Sequence, residues 1–570
     1  MKLRPALLVF FLLAAPGLCA GQDPLLKQAP PEHELIQLLA GELEYSAGAL
    51  VTDEGTRPYY LAYTVTDNSS VSVQARFGAL QTDRATRSRV LDVDVRVGDY
   101  GLDSSHELRG SARGGGFRRG AAGAKRIALE NHPAAIRHAA WQATDRAFKD
   151  AVETYQQVLT NVQTMVEEES ADDFSREDPS VRTEPEAVLE IDRKEWVRRV
   201  RAVSAMALAH PLIYSSDVSL VGGATNKYMV TSEQTRIVTG QKLLRVALSA
   251  STRAEDGMEL SQTQIFNAST EEGLPSEEAM SAAFKEVIDM VLALREAPLV
   301  DPYTGPAILL NRASGVFFHE IFGHRIEGHR QKSVDEGQTF TRMIDMQILP
   351  AFLNVVDDPT LQRFGGEDLR GFYRYDDEGV AASRVELVKD GVLKTFLLSR
   401  SPVLQFNHSN GHGRREPGND VVSRQGNLMI SSSTAVSYRK LREMLVDECE
   451  KQNKPYGFLF ADITGGFTST SRGGPQAFKV LPVVVYRIFA DGRPDELVRG
   501  VDIVGTPLSC FSKIVCTGDD PAVFNGSCGA ESGWVPVSAV SPSLLVEQIE
   551  IEKRQRSQER LPILTPPIGE

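Results

Sequence analysis

Phe318-His319-Glu320-Ile321-Phe322-Gly323-His324 sets two imidazoles around a carboxylate. Hydrolytic zinc enzymes use this trio, usually with the histidines four residues apart on one helical face. Here they stand five apart. On a regular helix that spacing separates them by roughly 140°, at 3.6 residues per turn. The segment Ala313 to Gly328 has a helical pattern, so the histidines can share a metal only if this helix is distorted. A π-bulge supplies the one extra residue needed. Gly323, just before the second histidine, is the natural place for it.

A zinc site that carries out hydrolysis has three protein ligands and an open position for water. His319 and His324 are two candidates. Glu320 is placed to take a proton from a metal-activated water and pass it to the leaving amine. Local spacing does not supply the third ligand, because His329 lies ten positions after His319 and points elsewhere on a regular helix. His408, His412, Cys510, Cys516 and Cys528 remain as distant candidates. Glu327, three residues after His324, is a helical neighbour able to orient that histidine through its second ring nitrogen. In the polar run Asn410 to Glu416, His412 and Arg414 are candidates for holding an oxyanion or a peptide carboxylate.

A chain of 570 residues exceeds one small core, and two or three domains are expected. The net charge of −14 argues against a dedicated nucleic-acid binder. Lys2 and Arg4, the apolar run Ala6 to Ala15 and the small residues after Pro16 read as a secretory signal over residues 1–21, too short to span a bilayer. No later segment reads as a membrane helix. Periplasmic or secreted localisation follows as an expectation. In an oxidising compartment Cys449, Cys510, Cys516 and Cys528 could form two disulfides.

Upstream, Tyr59 to Val65, Val71 to Phe77 and Arg89 to Val97 alternate as half-buried strands do, and Leu212 to Phe266 reads as strand after strand. Ser111 to Arg126 reads as a Gly/Arg-rich loop. Helices are expected over His132 to Glu168, Lys194 to Leu208 and Ser276 to Arg295, with Trp141, Phe148 and Tyr155 forming a core stripe. The main boundary falls near residue 300. Beyond it the chain is mostly β, with hairpins turning at Asp390-Gly391 and Asp491-Gly492. The fold class is therefore α+β: a strand-rich N-terminal α/β domain (22–300), then a mostly antiparallel-β domain (301–570) bearing the H-E-x-x-x-H helix.

The run His319 to Gly328 resembles the TldD/PmbA metalloproteases, whose active member carries H-E-x-x-x-H. Val355-Val356-Asp357-Asp358, Asp376-Asp377-Glu378-Gly379, and Gly526-Ser527-Cys528-Gly529 leading to Val535-Pro536-Val537 follow in the family's order. The resemblance covers roughly Ala307 to Ile551. It implies that Cys528 is the third zinc ligand. A thiolate suits zinc, and small neighbours let the backbone approach. Cys528 paired in a disulfide with Cys516 or Cys510 is the competing reading; otherwise Cys510 and Cys516 are free to pair with each other. The resemblance further implies a zinc peptidase acting on peptides or unfolded segments, and a homodimer or a heterodimer with a paralogue. The family is best known as cytoplasmic, whereas this chain begins with an export signal. The alternative is a non-catalytic subunit of the same fold, its metal structural or absent; the presence of Glu320 speaks against it. His329 reads as a surface residue, the alternative being a group that supports the metal ligands.

Overall fold

The computed structural model describes residues 33–107, 124–164, 171–333, 336–473 and 477–554, so the signal reading over 1–21 and most of the loop Ser111 to Arg126 lie outside the described residues. The fold is α+β. Among the described residues no helix is long and apolar enough to cross a membrane.

The N-terminal half is built on two long antiparallel hairpins. β1 (Pro58–Arg76) pairs with β2 (Ala79–Val97) through a turn in which Phe77 and Gly78 both take positive φ, the conformation that tight hairpins require. β3 (Ser215–Thr231) pairs with β1 and with β4 (Arg236–Arg253), which in turn pairs with β5 (Glu259–Ala268). The two strands expected over Tyr59 to Val65 and Val71 to Phe77 are one. The polar stretch between them, which reads as a break, is held in the sheet where Asp67 binds Arg87 and Arg89.

At ~3.3 Å per residue such strands are about 60 Å long, more than one helix pair covers. Two cores therefore share one face of the sheet. α1 (Glu34–Ala49) and α2 (Pro133–Thr164) cover Leu61, Tyr63 and Val65. α3 (Arg193–Ala205) and α4 (Glu277–Glu296) cover Val71, Val73 and Ala75. Of the stripe expected on α2, Phe148 is buried, but Trp141 is 48% exposed and belongs to no core. The sheet's opposite face, with Tyr60, Met229 and Ile237, packs on Phe174 and on Tyr375 of the C-terminal half.

In that half two sheets enclose one helix. Among the described residues the first sheet includes β6 (Tyr303–Leu309), β7 (Tyr456–Thr468), β8 (Phe478–Phe489) and β9 (Leu544–Lys553). In the second, β10 (Ala522–Ala530) is an edge strand paired with β11 (Gly533–Ser541). α5 (Asn311–Ile321) lies between the sheets, with every residue from Ala313 to Ile321 buried. The Asp390-Gly391 hairpin forms between Val385–Lys389 and Val392–Leu393.

All four described cysteines are free, so neither the Cys510–Cys516 nor the Cys528 disulfide forms. Cys510 packs in the main core around α5. Cys516 packs in a separate cluster with Leu441 and Leu445.

Candidate functional site

The motif does not ride on one distorted helix. α5 ends at Ile321, and Gly323–Arg325 form a 3₁₀ turn, with Arg325 N–H donating to the Phe322 carbonyl. No π-bulge is present in this segment. The break is fixed by tertiary contacts. The Arg325 guanidinium donates to the Glu320 carbonyl at 3.1 Å and to Thr468 Oγ1 at 2.8 Å, serving a helix end that α5 can no longer satisfy itself. Gly323 is needed for closeness rather than for its φ. A Cβ there would lie 2.0 Å from Gln425 Oε1.

This geometry brings His324 back toward His319. The rings stand 5.0 Å apart at 75°, and Cys528 Sγ from β10 lies 3.2 Å from His319 Nε2 and 3.3 Å from His324 Nε2. The three donor atoms fall within 4.8 Å of one another, and all three residues are buried. Two imidazoles and a thiolate match the donor set zinc prefers. The three groups shift one another's titration. Burial opposes ionisation of Cys528, but His324 and His319 outweigh it and hold the thiol well below its usual value. Burial likewise opposes protonation of both imidazoles, yet Cys528 raises His319, and Cys528 with Glu327 raises His324 further.

Glu320 is buried, and its carboxylate takes no hydrogen bond from the described residues. Burial raises its pKa, against the pull of His319 and His324. Gly466 of β7 keeps the space beside it, for a Cβ there would meet Glu320 Cγ at 2.7 Å.

Glu327 lies behind the cluster. Its Oε2 is 3.3 Å from His324 Nδ1 and accepts from Arg330 Nε at 2.9 Å, while Arg424 Nε stands 3.3 Å from its Oε1. Arg424 also donates to the Cys528 carbonyl at 2.9 Å, so one carboxylate is tied to both ligand-bearing segments. Burial alone would raise Glu327; His324 and Arg330 instead lower it to about 2.

The structure brings together His319, Glu320, His324, Glu327 and Cys528. It gives His412 and Arg414 other work. His412 is held by Asn410 and lies 3.3 Å from Asp357, while Arg414 donates to the Gln425 and Pro536 carbonyls at 2.7 Å and sits over the Tyr373 ring. The polar run that contains them folds inward to satisfy buried backbone. His329 is not a surface residue either, being paired with Glu531 and largely buried. His408 is 74% exposed and faces Glu177. Arg325, Arg424 and Gly466 escaped the sequence reading; only their tertiary contacts mark them.

Residues 302–553 match the family model described as PmbA/TldA metallopeptidase C-terminal domain. A metalloprotease of Archaeoglobus fulgidus is 29% identical over 262 residues, 46% of this chain and 56% of its own. A zinc metalloprotease TldD homolog of Saccharolobus solfataricus is 24% identical over 272 residues, 46% of this chain and 57% of its own. The chain spans about half the length of the curated relatives it matches. Among solved structures, TldE from Thermococcus kodakarensis shares the fold, with a TM-score of 0.60 over 91% of this chain and 100% of that one at 12% identity. The C-terminal half is thus similar in sequence to the PmbA/TldD metalloproteases.

Proposed function

We propose that this protein is a zinc-dependent peptidase. One observation carries the reading: three buried zinc-type donors converge from two distant segments, with an unpaired carboxylate beside them. His319, His324 and Cys528 would hold the metal. Bound there, zinc would act as a Lewis acid on the scissile carbonyl and make water a stronger acid. Glu320 takes the proton as water attacks and delivers it to the leaving nitrogen. Its raised pKa makes it the stronger base for that task. Glu327 holds His324 by Nδ1, leaving Nε2 for the metal.

The substrate in this reading is an extended peptide. Beyond Phe460 the outer edge of β7 has no strand partner among the described residues, because β6 pairs only with Phe458 to Phe460. That free edge runs past Gly466, against Glu320, and offers backbone groups to an added strand. The reading also carries a homodimer, or a pair with a paralogue, which light scattering on the purified chain separates.

Metal content and peptide hydrolysis, measured on wild type and on Glu320→Ala, test the proposal. Stoichiometric zinc in both with turnover only in the wild type is expected. A metal-free wild type, or equal turnover, ends it. Cys528→Ser should lose most of its zinc affinity, and unchanged zinc would remove Cys528 from the ligand set.

A further inference from the structure

β7 carries two glycines in a row and then an aromatic, Gly465-Gly466-Phe467. Glycine inside a strand weakens it and often marks a place where something must come close. Gly466 has its reason in Glu320, whose Cγ would lie 2.7 Å from an added Cβ. Gly465 has no such reason among the described residues. A Cβ there would meet nothing within 4 Å beyond its chain neighbours, so the space over Gly465 is open.

Alternation fixes what borders that space. From Gly465 to Thr468 the ladder with β8 is regular, pairing Gly465 with Leu481, Gly466 with Val480, Phe467 with Lys479 and Thr468 with Phe478. Val480 and Phe478 are buried in the core around α5, and Thr468 Oγ1 accepts from Arg325 at 2.8 Å. The even-numbered positions therefore face the metal-bearing helix, and Gly465, Phe467, Lys479 and Leu481 face the other way. Phe467 is 58% exposed there. Lys479 brings no free charge to this face, because Asp502 at 2.8 Å and Glu552 at 2.6 Å hold its ammonium. What remains is an apolar notch, open above Gly465, with Phe467 two residues along the strand and the half-buried Leu481 across from it.

The notch is held in register with the reacting groups. Phe467 lies between Gly466, which packs on Glu320, and Thr468, which is bonded to Arg325. The same guanidinium donates to the Glu320 carbonyl and to the Ser469 carbonyl, each at 3.1 Å. One side chain thus clamps the end of β7 to the end of α5. A peptide laid along the free edge of β7 presents alternate side chains to the two faces. With its scissile bond beside Glu320, and hence beside Gly466, one of the two residues flanking that bond faces the metal. The other comes to the notch and packs beside Phe467, as cross-strand neighbours on one face do.

We propose that Phe467 and the open space over Gly465 form a specificity-determining subsite, which takes an apolar or aromatic side chain on one side of the bond to be cut. This rests on the peptidase reading. It makes the enzyme selective at one flanking position and permissive at the other.

Octapeptides randomised at their central positions test it. They are cut by the zinc-loaded wild type, the cut sites are located by mass spectrometry, and relative kcat/KM is read for each residue at each flanking position. Phe, Leu and Tyr should exceed Ser, Gly and Asp by about fivefold at one flanking position, the upper range for a cross-strand pair, with a flatter profile at the other. Phe467→Ser should erase that preference with zinc content and Tm retained, since the side chain is exposed. Phe467→Leu should keep most of it. Phe467→Glu should transfer the preference to Lys and Arg at the same position, which a merely structural role would not do. Flat profiles at both positions in the wild type, or a preference that Phe467→Ser and Phe467→Glu leave intact, overturn the subsite, while the cleavage itself keeps the peptidase reading. If the zinc-loaded wild type cuts no peptide, both readings fall.

Discussion

Glu320 and Glu327 lie seven residues apart on one segment, both buried, and their surroundings are opposite. On the side of the cluster facing β7, Glu320 has no hydrogen-bond donor among the described residues and is pushed toward its neutral form by burial. On the far side, Glu327 is gripped by His324, Arg330 and Arg424 and is ionised down to about pH 2. A group that must exchange a proton is left without a donor, and a group that must hold a ligand still is bonded to an imidazole and a guanidinium and faced by a second guanidinium. The cost of the first is paid in stability, as reactive sites commonly do.

The largest effect expected from this contrast is on Glu320. Glu320→Gln should cut peptide hydrolysis by roughly 10²- to 10⁴-fold, the usual worth of a general base. It should also raise the Tm of the metal-free protein at neutral pH. A carboxyl with a raised folded pKa destabilises the fold once pH climbs above its ordinary value, and the amide removes that penalty. Loss of activity together with a lowered Tm would mean that Glu320 supports the structure rather than the chemistry.

Glu327→Gln should act in the other direction on stability and spare the proton transfer. Zinc affinity should fall about 10- to 100-fold, as for other groups that orient a metal-binding histidine. The pH dependence gives a separate signature. The depressed pKa stabilises the fold above the ordinary carboxyl value and is lost as pH falls from about 4.5 toward 2. The shift corresponds to roughly 3 kcal/mol at 1.36 kcal/mol per unit. Acid unfolding of the metal-free protein should therefore be steep in that interval and flatter in Glu327→Gln. Identical acid profiles would detach Glu327 from the network.

Gly466→Ala examines the open side without touching a charge. The new Cβ would meet the Lys479 carbonyl at 2.9 Å as well as Glu320 Cγ, and since backbone cannot yield, Glu320 must. A 10- to 100-fold loss in kcat with zinc retained is about what displacing a reacting group by an ångström costs. Loss of zinc instead would show that the ligands, not Glu320, had moved.

Much of this site was legible in the chain, and the parts that were not share a cause. His319, Glu320 and His324 announce themselves by residue type and spacing, and Glu327 by its helical offset. Cys528 does not, because nothing near it signals a metal; only the resemblance pointed to it. The end of α5 was misread because Ile321, Phe322 and Ile326 continue a helical pattern, while the break depends on Arg325 reaching back to the Glu320 carbonyl and on Gln425 a hundred residues downstream. The α+β class follows from alternation that survives locally, whereas the full length of β1 depends on Arg87 and Arg89 holding Asp67 of its polar middle in the sheet. His412 and Arg414 look like site residues in sequence because polar donors concentrate there, but sequence does not reveal that buried carbonyls consume them.

The smallest effect belongs to the turn that makes the five-residue spacing work. Gln425 is fully buried and neither polar atom of its amide has a partner among the described residues, yet it fills the space that excludes a side chain at position 323. Gly323→Ala should therefore cost about 1–3 kcal/mol, the usual range for overpacking a buried site, and should weaken zinc binding because His324 is the next residue. Gln425→Ala removes the obstructing amide. Were the amide's bulk the only reason for glycine, the double variant Gly323→Ala/Gln425→Ala would recover most of the loss, giving a favourable coupling of 0.5 kcal/mol or more, about the smallest that marks residues in contact. Denaturant midpoints for the four proteins of that cycle decide it. Additive losses would mean that the 3₁₀ turn itself, and not Gln425, requires a glycine, which would move the origin of the spacing from a packing contact to the backbone.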